Sequence, residues 1–257
     1  MAPELQDDEV LRAEDIVKRF GALTALAGVT LTLRRGEVLG LIGDNGAGKS
    51  TLIKRITGFH RPDEGRLLIE GKRVHLRSVS QARSLGIQTV FQDLALVNEL
   101  SVFHNMFLNA ELVHKPVPFL NNRKMKERTR KYLDDMGVRI SSIDTEVAQL
   151  SGGQRQAIAV ARSVYSKAKI LLLDEPLAAM GAKEGAMILD LVQRLREKRE
   201  VSIILIAHNY AHVLEVCDRV NLLQHGRVAY DKAANQTSVQ ELTELVVAEY
   251  RKARETA

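Results

Sequence analysis

Polar residues interrupt most of this chain, but residues 38–42 (VLGLI), 170–173 (ILLL) and 202–207 (SIILIA) are near-continuous apolar runs. Runs this short and uniform fit parallel strands covered on both faces by helices. Residues 29–33 (VTLTL) alternate instead, as a half-buried strand does, and residues 34–37 turn into the run at 38–42. Residues 11–20 mix apolar and charged positions and read as a strand ending at the aromatic Phe20. After the turn sequence RPDEG, residues 66–70 and 72–76 flank Gly71 as a hairpin. Residues 78–85 predict a short helix leading into a strand over 87–91. From 101 to 138 helical spacing dominates, broken at 115–122 where Pro116 and Pro118 stand. Residues 182–200 predict a long helix. Residues 238–250 predict an amphipathic one, with Val239, Leu242, Leu245 and Val246 on one side and the last residues frayed. The fold class is therefore α/β. An antiparallel β flank and a mainly parallel core occupy residues 11–92 and 167–250, a helical subdomain is inserted at 93–166, and the whole of 1–257 reads as one unit without internal repeats.

Composition narrows the classes. No window approaches the roughly 20 consecutive apolar residues that a membrane-spanning helix needs. The opening MAPELQDDEVLRAED is acidic and lacks the apolar segment of a secretory signal. Cys217 is the single cysteine, so no internal disulfide can form and a reducing cytoplasm suits the chain. It reads as a small buried apolar side chain. The formal net charge is only +5, and its densest source is RKMKERTRK at 123–131. Met125, Tyr132, Leu133 and Met136 recur at helical spacing through and beyond that run, which marks the solvated face of an amphipathic helix. Aromatics do not interleave with these charges, so no nucleic-acid partner is expected.

The chemistry begins directly after the first apolar run. Residues 43–51 (GDNGAGKST) satisfy the phosphate-loop pattern with Gly43, Gly48, Lys49 and Ser50, between a strand and a helix predicted over 51–57 with Gly58 as its cap. Gly43, Gly46 and Gly48 let the backbone curl until its N–H groups face phosphate oxygens. The helix N-terminus adds positive potential, Lys49 reaches the β- and γ-phosphates, and the Ser50 hydroxyl is available to magnesium. Asn45, Ala47 and Thr51 complete this nucleotide-binding set. Asp174 and Glu175 end the second apolar run, where the first can hold magnesium and the second can take a proton from attacking water. His208 follows the third run and Gln92 follows the strand over 87–91; taken singly, a histidine there is more often structural than functional, and a lone glutamine carries almost no signal.

Residues 150–156 (LSGGQRQ) carry a second anion-binding feature. Ser151 and Gln154 form a capping box that predicts a helix to about Ser166, and Gly152 and Gly153 expose N–H groups in its first turn. One nucleotide does not need two helix-end cradles from one chain, and a second copy of the chain would resolve this.

The set GDNGAGKST, Gln92, LSGGQRQ, ILLLDEP and His208, in that order, resembles the ATP-binding subunits of ABC transporters over essentially the whole chain. The resemblance implies a phosphate-loop ATPase fold with ATP and Mg2+ as cofactors. It implies that Phe20 stacks on adenine, that Gln92 senses both magnesium and the membrane subunit, and that Ser151, Gly152, Gly153 and Gln154 meet the nucleotide held by the opposite subunit. Ser50, Gln92 and Asp174 would serve the metal; Glu175 would be the catalytic base and His208 would hold the γ-phosphate or the attacking water. GDNGAGKSTLIK, LALVNELSVFHNMFL and EPLAAMGAKE are similar to single-cassette importers of simple sugars such as ribose, xylose and fructose. Maltose-type relatives carry a long C-terminal regulatory domain, whereas only residues 228–257 follow Arg227. Leu177 and Gly181 depart from the usual Ser or Thr and Asp of the wider family, which bears on contacts across a dimer. The expected assembly is a homodimer at the cytoplasmic face of the inner membrane, on two permease subunits served by an extracytoplasmic sugar-binding protein. A groove around residues 92–107, with Leu94, Leu96, Val97, Leu100, Val102 and Phe103, is the expected permease dock. An exporter cassette and a non-transport ABC ATPase are the alternatives.

Overall fold

The computed structural model describes residues 8–178 and 180–255, with side chains described to residue 248. The chain enters as a long hairpin, β1 (Glu9–Phe20) and β2 (Leu23–Arg34), in which Phe20 pairs with Leu23 across a two-residue turn. β2 begins before the alternating VTLTL segment because register shifts let its irregular first half stay paired to β1. β3 (Val38–Ile42) coincides with the apolar run and is buried throughout. Helix α1 (Lys49–Ile56) starts inside GKST, two residues ahead of the expected start. Beyond its last turn, Gly58 at φ 74° and Phe59 donate back to the carbonyls of Arg55 and Lys54. β4 (Glu64–Ile69) and β5 (Lys72–Val74) form the expected hairpin, and the flank sheet runs β2-β1-β4-β5, antiparallel throughout. α2 (Val79–Ser84), capped by the Ser78 hydroxyl, leads to β6 (Ile87–Val90).

The next stretch departs from the pattern. α3 (Val102–Met106) lasts a single turn, and residues 107–121 are irregular, with a cis Lys115-Pro116 bond and one bridge between Val113 and Leu120. Two prolines deny the backbone the donors a longer helix needs. α4 (Asn122–Asp135) buries Met125, Thr129 and Leu133 and turns its cationic residues outward, as the spacing required. α5 (Gly152–Tyr165) follows, then β7 (Ile170–Asp174), α6 (Ala182–Lys198) and β8 (Ser202–Ile206). α7 (Tyr210–Val216), β9 (Arg219–Gln224) and β10 (Arg227–Ala233) have no counterpart in the sequence reading. On α8 (Val239–Glu255), Leu242 is buried and Leu245 and Val246 pack partly on the core. Val239, expected on that face, is exposed in the first turn. The frayed end falls partly on residues 256 and 257, outside the described residues.

The second sheet runs β10-β9-β3-β8-β7-β6 and is parallel except for β10. Its strands divide their side chains between two cores. Val38, Leu171, Leu173, Ile203 and Leu205 face α5, α6 and α7, with buried Cys217 among them. Leu39, Leu41, Leu172, Ile204 and Ile206 face α1 and the flank sheet. That division explains the uninterrupted apolar runs, because neither face is free to carry a polar residue.

Arg219 stitches the two sheets together. Its Nε donates to Glu37 Oε1 at 2.7 Å, its Nη1 to both Asp231 oxygens at 2.9 Å, and its Nη2 to the Thr32 carbonyl at 2.6 Å. Burial works against this cation, but the bonds to Glu37 and Asp231 hold its pKa above the ordinary value. Glu37 is itself buried. Arg219→Leu strands that carboxylate and is expected to cost about 3–5 kcal/mol in urea unfolding. Adding Glu37→Gln, whose amide oxygen still accepts from the Arg34 N–H, is expected to recover part of the loss.

Candidate active site

Parallel strands deliver their carboxyl ends to one edge of a sheet, and here those ends carry the groups the sequence singled out. β3 opens into the loop at 43–50, β8 leads through Ala207 to His208, β7 ends at Asp174 and Glu175, and β6 leads through Phe91 to Gln92. The register pairs Asp174 and Leu41 with Ile206 from opposite sides, and Val90 with Leu173, so the ends are level. Neighbouring strands lie about 4.8 Å apart, which brings loop, histidine and carboxylates within reach of one ligand.

The loop at 43–50 is built for a backbone cradle. Gly43 (φ 147°) and Gly48 (φ 107°) are left-handed, and a Cβ would lie 2.3 Å from the Leu223 carbonyl oxygen at the first and 2.6 Å from that of Ala25 at the second. Only glycine fits either place. Asn45, Gly46 and Ser50 are exposed, Thr51 and Gly48 half-buried, and Ala47 buried. Lys49 lies under the loop, its Nζ donating to the carbonyls of Gly43 at 2.6 Å and Asp44 at 3.0 Å. Burial lowers its pKa, against the pull of Glu175, Asp44 and Asp174. A buried ammonium whose partners are the carbonyls of Gly43 and Asp44 suits an incoming polyanion.

The acids differ in environment. Burial, then the neighbouring Glu175, raises the pKa of Asp174, while Lys49, Lys54 and His208 oppose the rise. Glu175 stands at φ 52°, a left-handed conformation that costs a non-glycine residue about 1 kcal/mol or more. Its N–H donates to the Ile206 carbonyl at 3.0 Å, and its carbonyl accepts from Ala178 N–H at 3.0 Å. That turn aims the side chain at His208, whose Nε2 donates to Oε1 at 2.7 Å. Sequence placed both residues at strand ends but gave no sign of this bond. No group of three or more His, Cys, Asp and Glu side chains gathers as a metal site among the described residues. The donors present, the Asp174 carboxylate with the neutral oxygens of Ser50 and Gln92, suit a hard cation that completes its shell with phosphate and water.

Phe20 lies at the tip of the β1–β2 hairpin with 44% of its surface exposed. At the opposite end of the site, Ser151 caps α5 through the expected box: its hydroxyl accepts from Gln154 N–H at 3.3 Å and its N–H donates to Gln154 Oε1 at 3.1 Å. Gly153 packs so closely on α6 that a Cβ would sit 2.9 Å from Glu184 Cβ and 3.0 Å from Met187 Cε, whereas one on Gly152 would meet nothing nearer than Glu184 Oε2 at 3.8 Å. A cleft of about 360 Å³ is lined by Gly152 of this turn together with Glu175 and Gln92, and also by Asn98, Arg155 and Gln156.

Several residues that hold this region escaped the sequence reading. Arg162 on α5 donates to the carbonyls of Leu94 and Ala95. Asn105, fully buried, exchanges hydrogen bonds with the backbone of Val97 and donates to the carbonyls of Leu100 and Ser101. Together they fix the segment after Gln92 to the helices. Val102 and Phe103 are buried and do not belong to an accessible groove, because the single turn of α3 points them into the core. Leu94, Leu96 and Leu100 are half-buried, and Val97 is exposed.

Comparison with known protein families matches residues 26–178 to the family described as ABC transporter. The chain is 47% identical to the xylose/arabinose import ATP-binding protein of Sulfolobus acidocaldarius, over 93% of this chain and 94% of that one. It is 43% identical to the fructose import ATP-binding protein of Rhizobium meliloti, over 87% and 88% respectively. Among solved structures it resembles an ATP-binding cassette of an ABC transporter in its ADP conformation, with a TM-score of 0.78 and 29% identity, over 93% of this chain and 95% of that one.

The two adjacent glycines of α5 are expected to respond oppositely to alanine. Gly153→Ala forces α5 off α6 and should lower stability by about 1–3 kcal/mol. Gly152→Ala has room and should be neutral or slightly stabilising, within about 1 kcal/mol. Thermal unfolding of the two variants separates them.

Proposed function

The chain belongs to the ABC transporter family, and we propose that it is the ATP-hydrolysing subunit of an importer that takes up a simple sugar through separate permease subunits. The reading of sugar import rests on the names and the near-full-length similarity of the xylose/arabinose and fructose relatives. None of the helices described is long and apolar enough to cross a membrane, and in the proposed assembly the permease subunits supply the path for the sugar. The working position is the cytoplasmic face of the membrane. An extracytoplasmic binding protein would supply the substrate.

The single observation that best supports hydrolysis is the 2.7 Å bond between His208 and Glu175, beside the phosphate loop. In the proposed mechanism the N–H groups of the loop and Lys49 seat the phosphates, with Lys49 Nζ exchanging the carbonyls of Gly43 and Asp44 for phosphate oxygen. Magnesium, when bound, neutralises phosphate charge, and Ser50, Asp174 and Gln92 are the residues that would hold it. Glu175 accepts the proton of the attacking water at its carboxylate. His208, bonded to that carboxylate, orients it, and on releasing Oε1 its Nε2–H can donate to the γ-phosphate or the water. Phe20 offers its exposed ring to the adenine.

We propose further that two copies close around the nucleotides. Gly152, in the first turn of α5 after the Ser151 cap, lines the cleft with Glu175 and Gln92, and no residue of the loop at 43–50 is among the described residues lining it. That separation favours a phosphate delivered from a partner chain. The permease would dock on the remaining accessible residues after Gln92, Val97 foremost.

Replacing the base tests the chemistry. Glu175→Gln should keep ATP binding while hydrolysis falls by about 100-fold or more; near-normal phosphate release would remove Glu175 from the role. The same variant tests assembly, since light scattering with ATP and magnesium should show dimers, and Ser151→Arg in both copies, which blocks both centres, should abolish them. Import is tested with permease and binding protein in reconstituted membranes. A pentose or hexose should stimulate ATP hydrolysis. Stimulation by amino acids or metals and by no sugar would overturn the sugar assignment.

A further inference from the structure

Phe20 is an exposed ring at the tip of a two-residue hairpin; β2 of that hairpin packs on Gly48 of the phosphate loop through Ala25 and Leu26, and the Phe20 ring itself needs a further connection. The loop that follows α1 makes that connection. Phe59 N–H and His60 N–H both donate to the Lys54 carbonyl, at 2.9 and 3.0 Å, so the aromatic pair is fastened to the end of α1. On its far side the same loop is fastened to β1: Asp63 accepts from Arg19 N–H at 2.6 Å and from Lys18 Nζ at 3.0 Å, and Asp63 N–H donates to the Val17 carbonyl at 2.9 Å.

Between these anchors the rings form a continuous ladder. The His60 ring meets Phe20 at 5.5 Å between centroids and 70° between planes, and meets Phe59 at 5.1 Å and 80°. Lys18 Nζ stands 5.4 Å from the Phe20 centroid and Lys54 Nζ stands 5.9 Å from that of Phe59. Edge-to-face contacts of this kind fix orientation, because the positive edge of one ring seeks the negative face of the other. Helix α1 begins at Lys49 in the phosphate loop and ends at Ile56, just before this ladder. The cradle for the phosphates and the platform for the base are therefore two ends of one rigid element, with His60 as the link.

We propose that His60 is a positioning residue for nucleotide binding: it holds the Phe20 ring at the angle and distance from α1 that let one nucleotide fill platform and cradle together. This deepens the reading of Phe20 as the adenine platform and rests on it. His60 does not touch the phosphates or the reacting water, so its contribution belongs to the base alone and passes through Phe20.

The test compares ATP with inorganic tripolyphosphate, which has the phosphates and no base, by calorimetry on the full chain. His60→Ala should raise the Kd for ATP about fivefold, the scale of one oriented aromatic contact, and leave tripolyphosphate unchanged. The loss should appear in the KM for ATP and not in kcat. His60→Phe, which keeps a ring in the ladder, should restore binding. Phe20→Ala should weaken ATP at least as much, and the double variant should be no weaker than Phe20→Ala alone, because His60 has then lost the ring it acts through. The proposal is overturned if His60→Ala binds ATP normally while Phe20→Ala does not, if the two losses add, or if tripolyphosphate weakens equally. If Phe20→Ala itself leaves ATP affinity unchanged, the platform reading falls and this proposal falls with it.

Discussion

The strands β3, β8 and β7 are buried on both faces, with β6 paired at the edge of the sheet, and everything at the site depends on that. Because alternate side chains belong to two different cores, a shift of one residue in any of these strands would exchange Leu171 with Leu172, or Ile203 with Ile204, between cores of different shape. Parallel register is thereby locked, and the strand ends stay level. The phosphate loop, His208, Asp174 with Glu175, and Gln92 are held side by side by packing far below them. Loops that carry chemistry can remain polar and partly exposed because a rigid sheet determines where they start.

On that base the site stores unfavourable local states. Lys49 is buried as a cation beneath its own carbonyls, Asp174 is desolvated beside a second carboxylate, and Glu175 occupies a left-handed conformation. Each costs stability that the two cores supply. The proposed chemistry uses these same features: phosphate relieves the unpaired ammonium, a cation relieves the crowded acids, and the Glu175 turn keeps its carboxylate against His208. The glycines obey a similar logic. Gly43 and Gly48 lie against carbonyl oxygens of Leu223 and Ala25, so the cradle is wedged between β9 and β2 and does not have to be ordered by its ligand.

How much of this was legible follows from the same physics. Strands with both faces buried are uninterrupted in sequence, so β3, β7 and β8 were found almost to the residue. The capped start of α5 was equally plain, because Ser151 and Gln154 carry the signal locally. β9 and β10 escaped because Arg219, Asn221, Asp231 and Lys232 break the apolar pattern, and the partners that allow a buried Arg219 are remote Glu37 and Thr32. The break expected at 115–122 from Pro116 and Pro118 is present, but it begins earlier, at 107, because apolar spacing does not show that α3 ends after a single turn. At the site, the residue types at the strand ends were readable. The bonds that position them, His208 to Glu175, Arg162 to the carbonyls after Gln92 and His60 to Phe20, join distant parts of the chain and leave no local trace.

In the proposed assembly each hydrolytic centre is shared, with the phosphate loop of one copy and the Ser151 turn of another. Complementation measures this directly. Lys49→Ala removes the cradle and keeps the turn, while Ser151→Arg keeps the cradle and blocks the turn, so each chain alone should be inactive. In a mixture, the Ser151→Arg chain supplies Lys49 and the Lys49→Ala chain supplies Ser151, and one intact centre forms in every mixed pair. ATP hydrolysis should therefore appear on mixing and rise with the fraction of mixed pairs. A mixture as inactive as its two parents, or a Ser151→Arg chain that hydrolyses ATP normally by itself, would contradict the account.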